Sequence, residues 1–220
     1  MSPGIIRRAM SQLSAVHRGT AFEERSLQIL QDHFSMSLRR VGGKSDGGID
    51  LQGWWWLPPL SHTRASAATE ASPNRRRLRI LAQCKAEKKK FSPNYVREME
   101  GVWHCQNPTR EENTNSSYPS VALLLSESPF TTSTLKRALS SSVPFLLLHL
   151  PPASVDGDSA ANDPIGSAFC NPALGGQSGL LEGEVEIRWE HALSGGRPGL
   201  WWHGQRLESW TPDRQPAEPT

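Results

Sequence analysis

Four polar side chains, Glu23, Asp50, Gln83 and Lys85, stand at the ends of apolar segments. Asp50 closes the run Asp46-Gly47-Gly48-Ile49-Asp50 and opens onto the β-rich Leu51-Gln52-Gly53-Trp54-Trp55-Trp56. Gln83 and Lys85 end a second strand-like segment, Leu78 to Lys85. Side chains alternate faces along a strand, so Gln83 and Lys85 share one face about 7 Å apart. Leu78, Ile80, Ala82 and Cys84 take the other. In the earlier segment Ile49, Leu51 and Gly53 share a face while Asp50 points away. Antiparallel pairing of the two segments near these ends brings Asp50, Gln83 and Lys85 to one patch.

That patch has the parts for metal-assisted phosphodiester hydrolysis. A hard divalent cation, Mg2+ or Mn2+, takes oxygen ligands: the Asp50 carboxylate, the Gln83 amide oxygen and the Cys84 backbone carbonyl. Such a cation polarises a phosphate and lowers the pKa of a bound water. Lys85 orients that water or neutralises developing charge. Glu23 reaches the cation through water. Each residue also has a plainer use. Asp is common at turns that start a strand, Gln83 suits a polar strand edge, and Lys85 continues into a solvated basic run. Glu23 with Thr20 fits a capping box at a helix start.

Gly43-Lys44-Ser45 resembles the tail of a phosphate-binding loop, but Leu38 stands where that motif needs glycine. The segment after it also turns into a strand rather than a helix, so the anion site of a helix N-terminus is missing.

The 220 residues suffice for one domain with appendages. No apolar run approaches the roughly 20 residues of a membrane span, so no membrane partner is expected. Cys84, Cys105 and Cys170 have no paired spacing, which argues against a disulfide framework and a cysteine-rich zinc site. The net charge is +2, but residues 75–97 hold nine basic side chains against one acid. Residues 151–220 hold four arginines against ten acids. A basic middle suits a polyanion partner, with Arg75, Arg76, Arg77, Lys88, Lys89 and Lys90 as nucleic-acid contacts. The first 22 residues carry Arg7, Arg8 and Arg18 and no acid, a composition that suits a mitochondrial transit peptide.

The elements that must position these residues are read from period and punctuation. A helix is expected from Thr20 to about Phe34, with Leu27, Leu30 and Phe34 on one face. Strands are expected at Ser37–Val41, Ile49–Trp56, Leu78–Lys85, Val121–Leu125 and Phe145–Leu150. Helices are expected after Ser92-Pro93, with proline at the first helical position, and over Thr131–Ser141. Strand, helix and strand with continuous apolar runs imply a parallel pair. The class is therefore α/β. The expected boundaries are a basic segment over 1–17, a core domain over 18–150 with a loop insertion at 60–77, and a linker over 151–182. A half-buried β-hairpin follows over 183–210, and a disordered tail over 211–220.

"TAFEERSLQIL", "RVGGKSDGGIDLQG" and "ILAQCKAEKK", in that order, resemble the Mrr-type branch of the PD-(D/E)XK restriction-endonuclease-like family. That branch has Phe-Glu on its first helix, Asp-x-Gly-Ile-Asp, and Gln-x-Lys in place of acid-x-Lys. Glu23, Asp50, Gln83 and Lys85 occupy the matching positions. "PFTTSTLKRAL" is similar to a later helix of the family, so the likeness covers about residues 18 to 150. It implies a mixed central sheet flanked by helices, and a Mg2+-dependent deoxyribonuclease. The loop lengths and basic start are also similar to the fungal mitochondrial proteins required for respiratory growth. The long arginine-rich loop, the linker and the acidic hairpin depart from compact bacterial members. They bear on substrate rather than on the proposed catalytic groups. DNA is the expected partner, with RNA open and the oligomeric state unassigned. Two other classes stand beside this reading: an inactive nucleic-acid-binding module, and a tryptophan-rich interaction protein using Trp54, Trp55, Trp56, Trp201 and Trp202.

Overall fold

In the computed structural model, residues 15–41, 47–61, 75–107, 118–152, 164–192 and 195–212 are described. Six strands make one mixed sheet: β1 (Met36–Arg40), β2 (Leu51–Leu57), β3 (Arg76–Lys85), β4 (Ser120–Ser126), β5 (Phe145–His149) and β6 (Ser167–Cys170), in spatial order β1 to β6. β3, β4 and β5 run parallel, and the remaining pairs are antiparallel. β4 and β5 are buried on both faces and read as continuous apolar runs, as interior parallel strands require.

Helices α1 (Ala15–His33), α2 (Pro93–Gln106) and α3 (Thr132–Leu139) flank the sheet. α2 starts at Ser92-Pro93, where proline's missing N–H costs no hydrogen bond. The Thr131 hydroxyl caps α3 by accepting from Thr134 N–H at 3.2 Å. Under α2 and α3 lie Leu81, Ala122, Leu124, Phe145 and Leu147. On the opposite face α1 brings Phe22, Ile29 and Leu30 against Leu51, Trp55, Leu78, Ile80 and Ala82.

α1 differs from its expected start. It runs from Ala15, so Thr20 and Glu23 lie inside the helix and make no capping box. A capping box needs a non-helical N-cap, and the residues before Thr20 stay helical. The two side chains instead meet Arg40 of β1. Arg40 donates to Glu23 at 2.7 Å and to Thr20 at 3.3 Å.

β2 begins at Leu51 rather than Ile49. The preceding Gly47 and Gly48 have φ of 62° and 84°, a region that glycine enters without a Cβ penalty. Ile49 leaves that turn into the cluster beneath α2, while Leu51 joins the cluster beneath α1. The alternation thus does not reach back to Ile49, as the sequence pattern suggested. β3 starts earlier than expected, and its first residues Arg76 and Arg77 leave the loop for the strand. A Cβ on Gly53 would collide with Ser37 and Leu38 of β1, so glycine there permits close strand approach.

Residues 164–182, expected as linker, are built into the fold. β6 extends the sheet beyond β5, and one helical turn, α4 (Pro172–Gly175), follows. Apolar and polar contacts both hold it: Ile165, Leu174 and Leu181 are buried in the core beneath α1. The two N–H groups of the buried Asn171 amide are shared among the Ala138, Ser141 and Val143 carbonyls at 3.0, 3.2 and 2.9 Å. Its oxygen accepts from Phe145 N–H at 2.9 Å and Leu174 N–H at 3.1 Å. Beyond it, β7 (Val185–Ala192), β8 (Gly195–Trp202) and β9 (Gln205–Arg206) form a separate antiparallel sheet. Val185, Leu200 and Trp202 of that sheet join the core beneath α1. Thr211, expected in a disordered tail, is buried. The remaining parts of the expected basic segment, loop insertion, linker and tail (1–14, 62–74, 153–163 and 213–220) lie outside the described residues.

Ser35, between α1 and β1, is a buried residue with φ of 57°, a conformation that surroundings must hold. Its N–H donates to Ser209 Oγ at 2.9 Å, and its own hydroxyl accepts from Trp210 N–H at 3.1 Å. Ser209 in turn donates to the Gln31 carbonyl at 2.6 Å.

Candidate functional site

The antiparallel register places Leu51 opposite Ala82, so Asp50 reaches the sheet just beyond the last pair. There its own N–H donates to the Ala82 carbonyl at 2.8 Å. Its carboxylate accepts from Cys84 N–H at 2.6 Å. Asp50 is therefore fixed to the backbone of β3 at the point where β2 stops covering it. A charge-assisted bond of this length orients the carboxylate firmly.

Gln83 and Lys85 face α2, opposite to Cys84. Gln83 is buried, and its Oε1 has no hydrogen-bond partner in the protein. A buried amide oxygen in that condition calls for an explanation such as a water or an ion. A Cβ on Gly48 would lie 3.5 Å from Gln83 Nε2 and 3.6 Å from a Val102 methyl, so the glycine turn closes over the amide. Lys85 Nζ sits 5.0 Å from the centroid of the Tyr95 ring of α2, within cation–π range. The Tyr95 hydroxyl donates to Glu87 at 2.9 Å. Tyr95 is pushed above its ordinary pKa by desolvation first and by Glu87 second.

Glu23 approaches from α1 and ion-pairs with Arg40 at 2.7 Å. The Cys84 thiol reports what surrounds the end of β3. Its pKa is raised well above the usual value, first by burial, then by the negative charges of Asp50 and Glu23. A hydrogen bond with Ser26 and the charge of Lys85 act the other way. Glu23, Asp50 and Lys85 are thus close enough to act on a single thiol. Arg18 closes the same corner, donating to the Ala86 carbonyl at 2.9 Å. Arg40, Ser26 and Tyr95 were not among the residues read from the sequence. For Arg40 the signal was available, since Thr20 and Glu23 share a helix face at i and i+3.

Among the described residues no three His, Cys, Asp or Glu side chains are grouped as metal ligands. A cation here would rest on one carboxylate, one amide and backbone oxygen, with water in the remaining positions. That donor set suits Mg2+, which keeps several waters, and is unlike the nitrogen and sulfur sites of zinc. The orphaned Gln83 Oε1 fits such an ion.

The basic residues separate into two groups. Lys88, Lys89 and Lys90 are exposed in the turn after β3, on the side of Lys85. Arg75, Arg76 and Arg77 lie at the opposite end of the strand, roughly 25 to 30 Å away by strand rise. Arg75 stands over Trp210, and Arg76 donates to the Leu180 carbonyl at 3.1 Å. Arg77 lies between Trp54 and Tyr118.

A family profile described as required for respiratory growth protein 7 matches residues 14–171. The chain belongs to that family. The match runs from α1 to β6, so it includes every residue of the candidate site. An uncharacterized mitochondrial protein of Schizosaccharomyces pombe is 30% identical over 64% of this chain and 47% of its own length. The mitochondrial required for respiratory growth protein 7 of Vanderwaltozyma polyspora is 25% identical over 62% of this chain and 64% of its own. Its Candida glabrata counterpart is 24% identical, with shares of 62% and 63%. The chain therefore spans between about half and just under two thirds of these relatives. The relatives are named mitochondrial, which supports the same localisation for this chain. No solved structure matches the chain significantly. No helix among the described residues is long and apolar enough to cross a membrane.

Proposed function

We propose that the chain is a divalent-metal-dependent nuclease of the Mrr-type, PD-(D/E)XK kind, hydrolysing DNA phosphodiester bonds in the mitochondrial matrix in support of respiratory growth. The observation that carries the reading is the buried, unpartnered Gln83 oxygen on the strand to which Asp50 is fastened. Mg2+ or Mn2+, when bound, supplies a Lewis acid and a water of lowered pKa. Asp50 offers the anionic ligand, Gln83 a neutral one and the Cys84 carbonyl a backbone one. Lys85, braced by the Tyr95 ring, offsets charge developing on the phosphate. Glu23 adds negative charge from the α1 side while Arg40 holds it in place. Lys88, Lys89 and Lys90 grip the flanking phosphates.

A second reading, nucleic-acid binding without turnover, draws on a different observation. Glu23 is engaged by Arg40, and Asp50 already accepts from Cys84 N–H. Supercoiled plasmid incubated with the full chain in Mg2+, Mn2+ or EDTA separates the two. The nuclease reading expects nicking only with metal, abolished in Asp50→Asn with DNA binding retained, because asparagine lacks the charge to hold a hard cation. Lys85→Ala lowers turnover by roughly 100-fold without changing the salt dependence of binding. Changing Lys88, Lys89 and Lys90 to Ala flattens the log–log salt slope by up to about 3. DNA that is bound but never cut in either metal supports the second reading instead.

A further inference from the structure

α2 and α3 cover β3, β4 and β5, but the residues of β1 and β2 on the same face carry different chemistry. Across the strands the register aligns Ser37 with Trp54 and Arg79, and Arg39 with Gln52. Trp54 is half-buried, Arg39 is exposed and Tyr118 is 38% exposed. Arg77 stacks on both aromatic rings, 4.8 Å from the Trp54 centroid and 4.2 Å from that of Tyr118. It also donates to the Tyr118 hydroxyl. Trp54 and Tyr118 meet edge to face at 4.9 Å. Arg79 is held by neutral partners: the Gln106 side chain at 3.2 Å and, with its amide turned, the Gln52 oxygen at 2.9 Å.

Two features of this platform point to a ligand class. Among the described residues, Arg39, Arg77 and Arg79 make no ion pair with a carboxylate, so no described acid neutralises their charge by direct contact. Flat rings and a flat guanidinium stand between these charges, fixed by each other and by a rigid sheet. We infer that this face of β1 to β3 binds single-stranded nucleic acid, with bases stacked on Trp54, Tyr118 and the Arg77 plane and phosphates held by Arg39 and Arg79. Every base has a π-face, so such a platform needs no particular sequence. A duplex hides its base faces in its own stack and offers the platform only phosphates. Arg77 lies at the opposite end of β3 from Lys85, with Arg79 and, in register, Arg39 nearer the middle of the strand, and the platform does not depend on the metal-site reading.

The test is fluorescence anisotropy of a labelled oligothymidylate of about 20 nucleotides, titrated with the full chain in EDTA, beside a duplex of equal length. EDTA removes cleavage, so this binding result stands whether or not the chain is a nuclease. The expected outcome is at least tenfold tighter binding of the single strand, with quenching of tryptophan fluorescence. Trp54→Ala weakens it about tenfold at unchanged salt slope, and Trp54→Phe, which keeps a flat ring, retains most of it. Arg39→Ala and Arg79→Ala each flatten the single-strand salt slope by about 0.7. Trp189→Ala, on the exposed side of β7, changes nothing. Equal or tighter duplex binding, no binding at all, or full binding by folded Trp54→Ala overturns the proposal. No binding at all would leave the face to a protein partner.

Discussion

Three consecutive tryptophans on β2 show how differently the two faces of one strand are used. Trp55 is 1% exposed among Leu51, Leu57, Leu78 and Ile80 beneath α1. Its neighbours Trp54 and Trp56 point the other way. Trp56 donates to Ser37 Oγ at 2.8 Å and meets Trp210 edge to face at 5.9 Å. Trp54 meets Tyr118 and Arg77. The same residue type thus contributes volume on one face and a ring for polar and charged partners on the other. Period-two alternation decides which.

The largest expected effect on this contrast comes from Trp55→Ala, which should cost about 3 to 5 kcal/mol in urea unfolding because it opens a large cavity. Trp55→Phe should cost much less, since it keeps a ring and removes an indole N–H that has no partner. Comparable losses for Trp54→Ala would show that the two faces are not used differently. Trp54→Ala is instead expected to cost about 1 kcal/mol, the scale of a lost cation–π contact.

Asn171 sets the next test, because it puts a polar group where the contrast expects apolar ones. Its amide is buried, with its two N–H groups shared among three backbone carbonyls and its oxygen accepting from two backbone N–H groups. Asn171→Ala orphans those groups and should cost about 3 kcal/mol, read by the same unfolding measurement. A neutral result would mean that water replaces the amide at the β5–β6 edge.

The smallest effect concerns Cys84. Its folded pKa lies well above the usual value, by burial first and by Asp50 and Glu23 next. The stability this contributes is fully present below the unfolded pKa of about 8.5. It is lost as pH rises from there through the folded value. Cys84→Ala should therefore flatten the alkaline limb of the stability curve. Alkylation followed by mass spectrometry should modify the exposed Cys105 first and the half-buried Cys84 more slowly. Native labelling of Cys84 as fast as that of Cys105 would contradict its partial burial and raised pKa.

The core was legible where one physical signal dominated. Val121–Leu125 and Phe145–Leu150 read as buried parallel strands because their apolar runs are unbroken, and Ser92-Pro93 marked a helix start. The side-chain parity of Leu78 to Lys85 followed from the two-residue period. What escaped depends on contacts distant in sequence. Arg40 claimed Glu23 and Thr20 from a local capping role. Asn171 ordered a stretch whose Gly, Ser, Asn and Pro content resembles a linker. The bond from Cys84 N–H to Asp50 spans 34 residues and belongs to neither strand's own pattern.

Ser35 and its partners Ser209 and Trp210 give the molecule a late step in its assembly. The bonds that hold this strained turn join positions 174 and 175 residues apart. On a ribosome, or on a chain threading through a pore from its N-terminal end, α1 and β1 emerge long before the residues that lock the corner between them. Local helix formation and β1–β2 pairing can proceed in that interval, but the left-handed Ser35 has no Ser209 or Trp210 to hold it. Closure of this corner therefore comes after most of the sheet, and its rate is set by a long loop search rather than by local propensity.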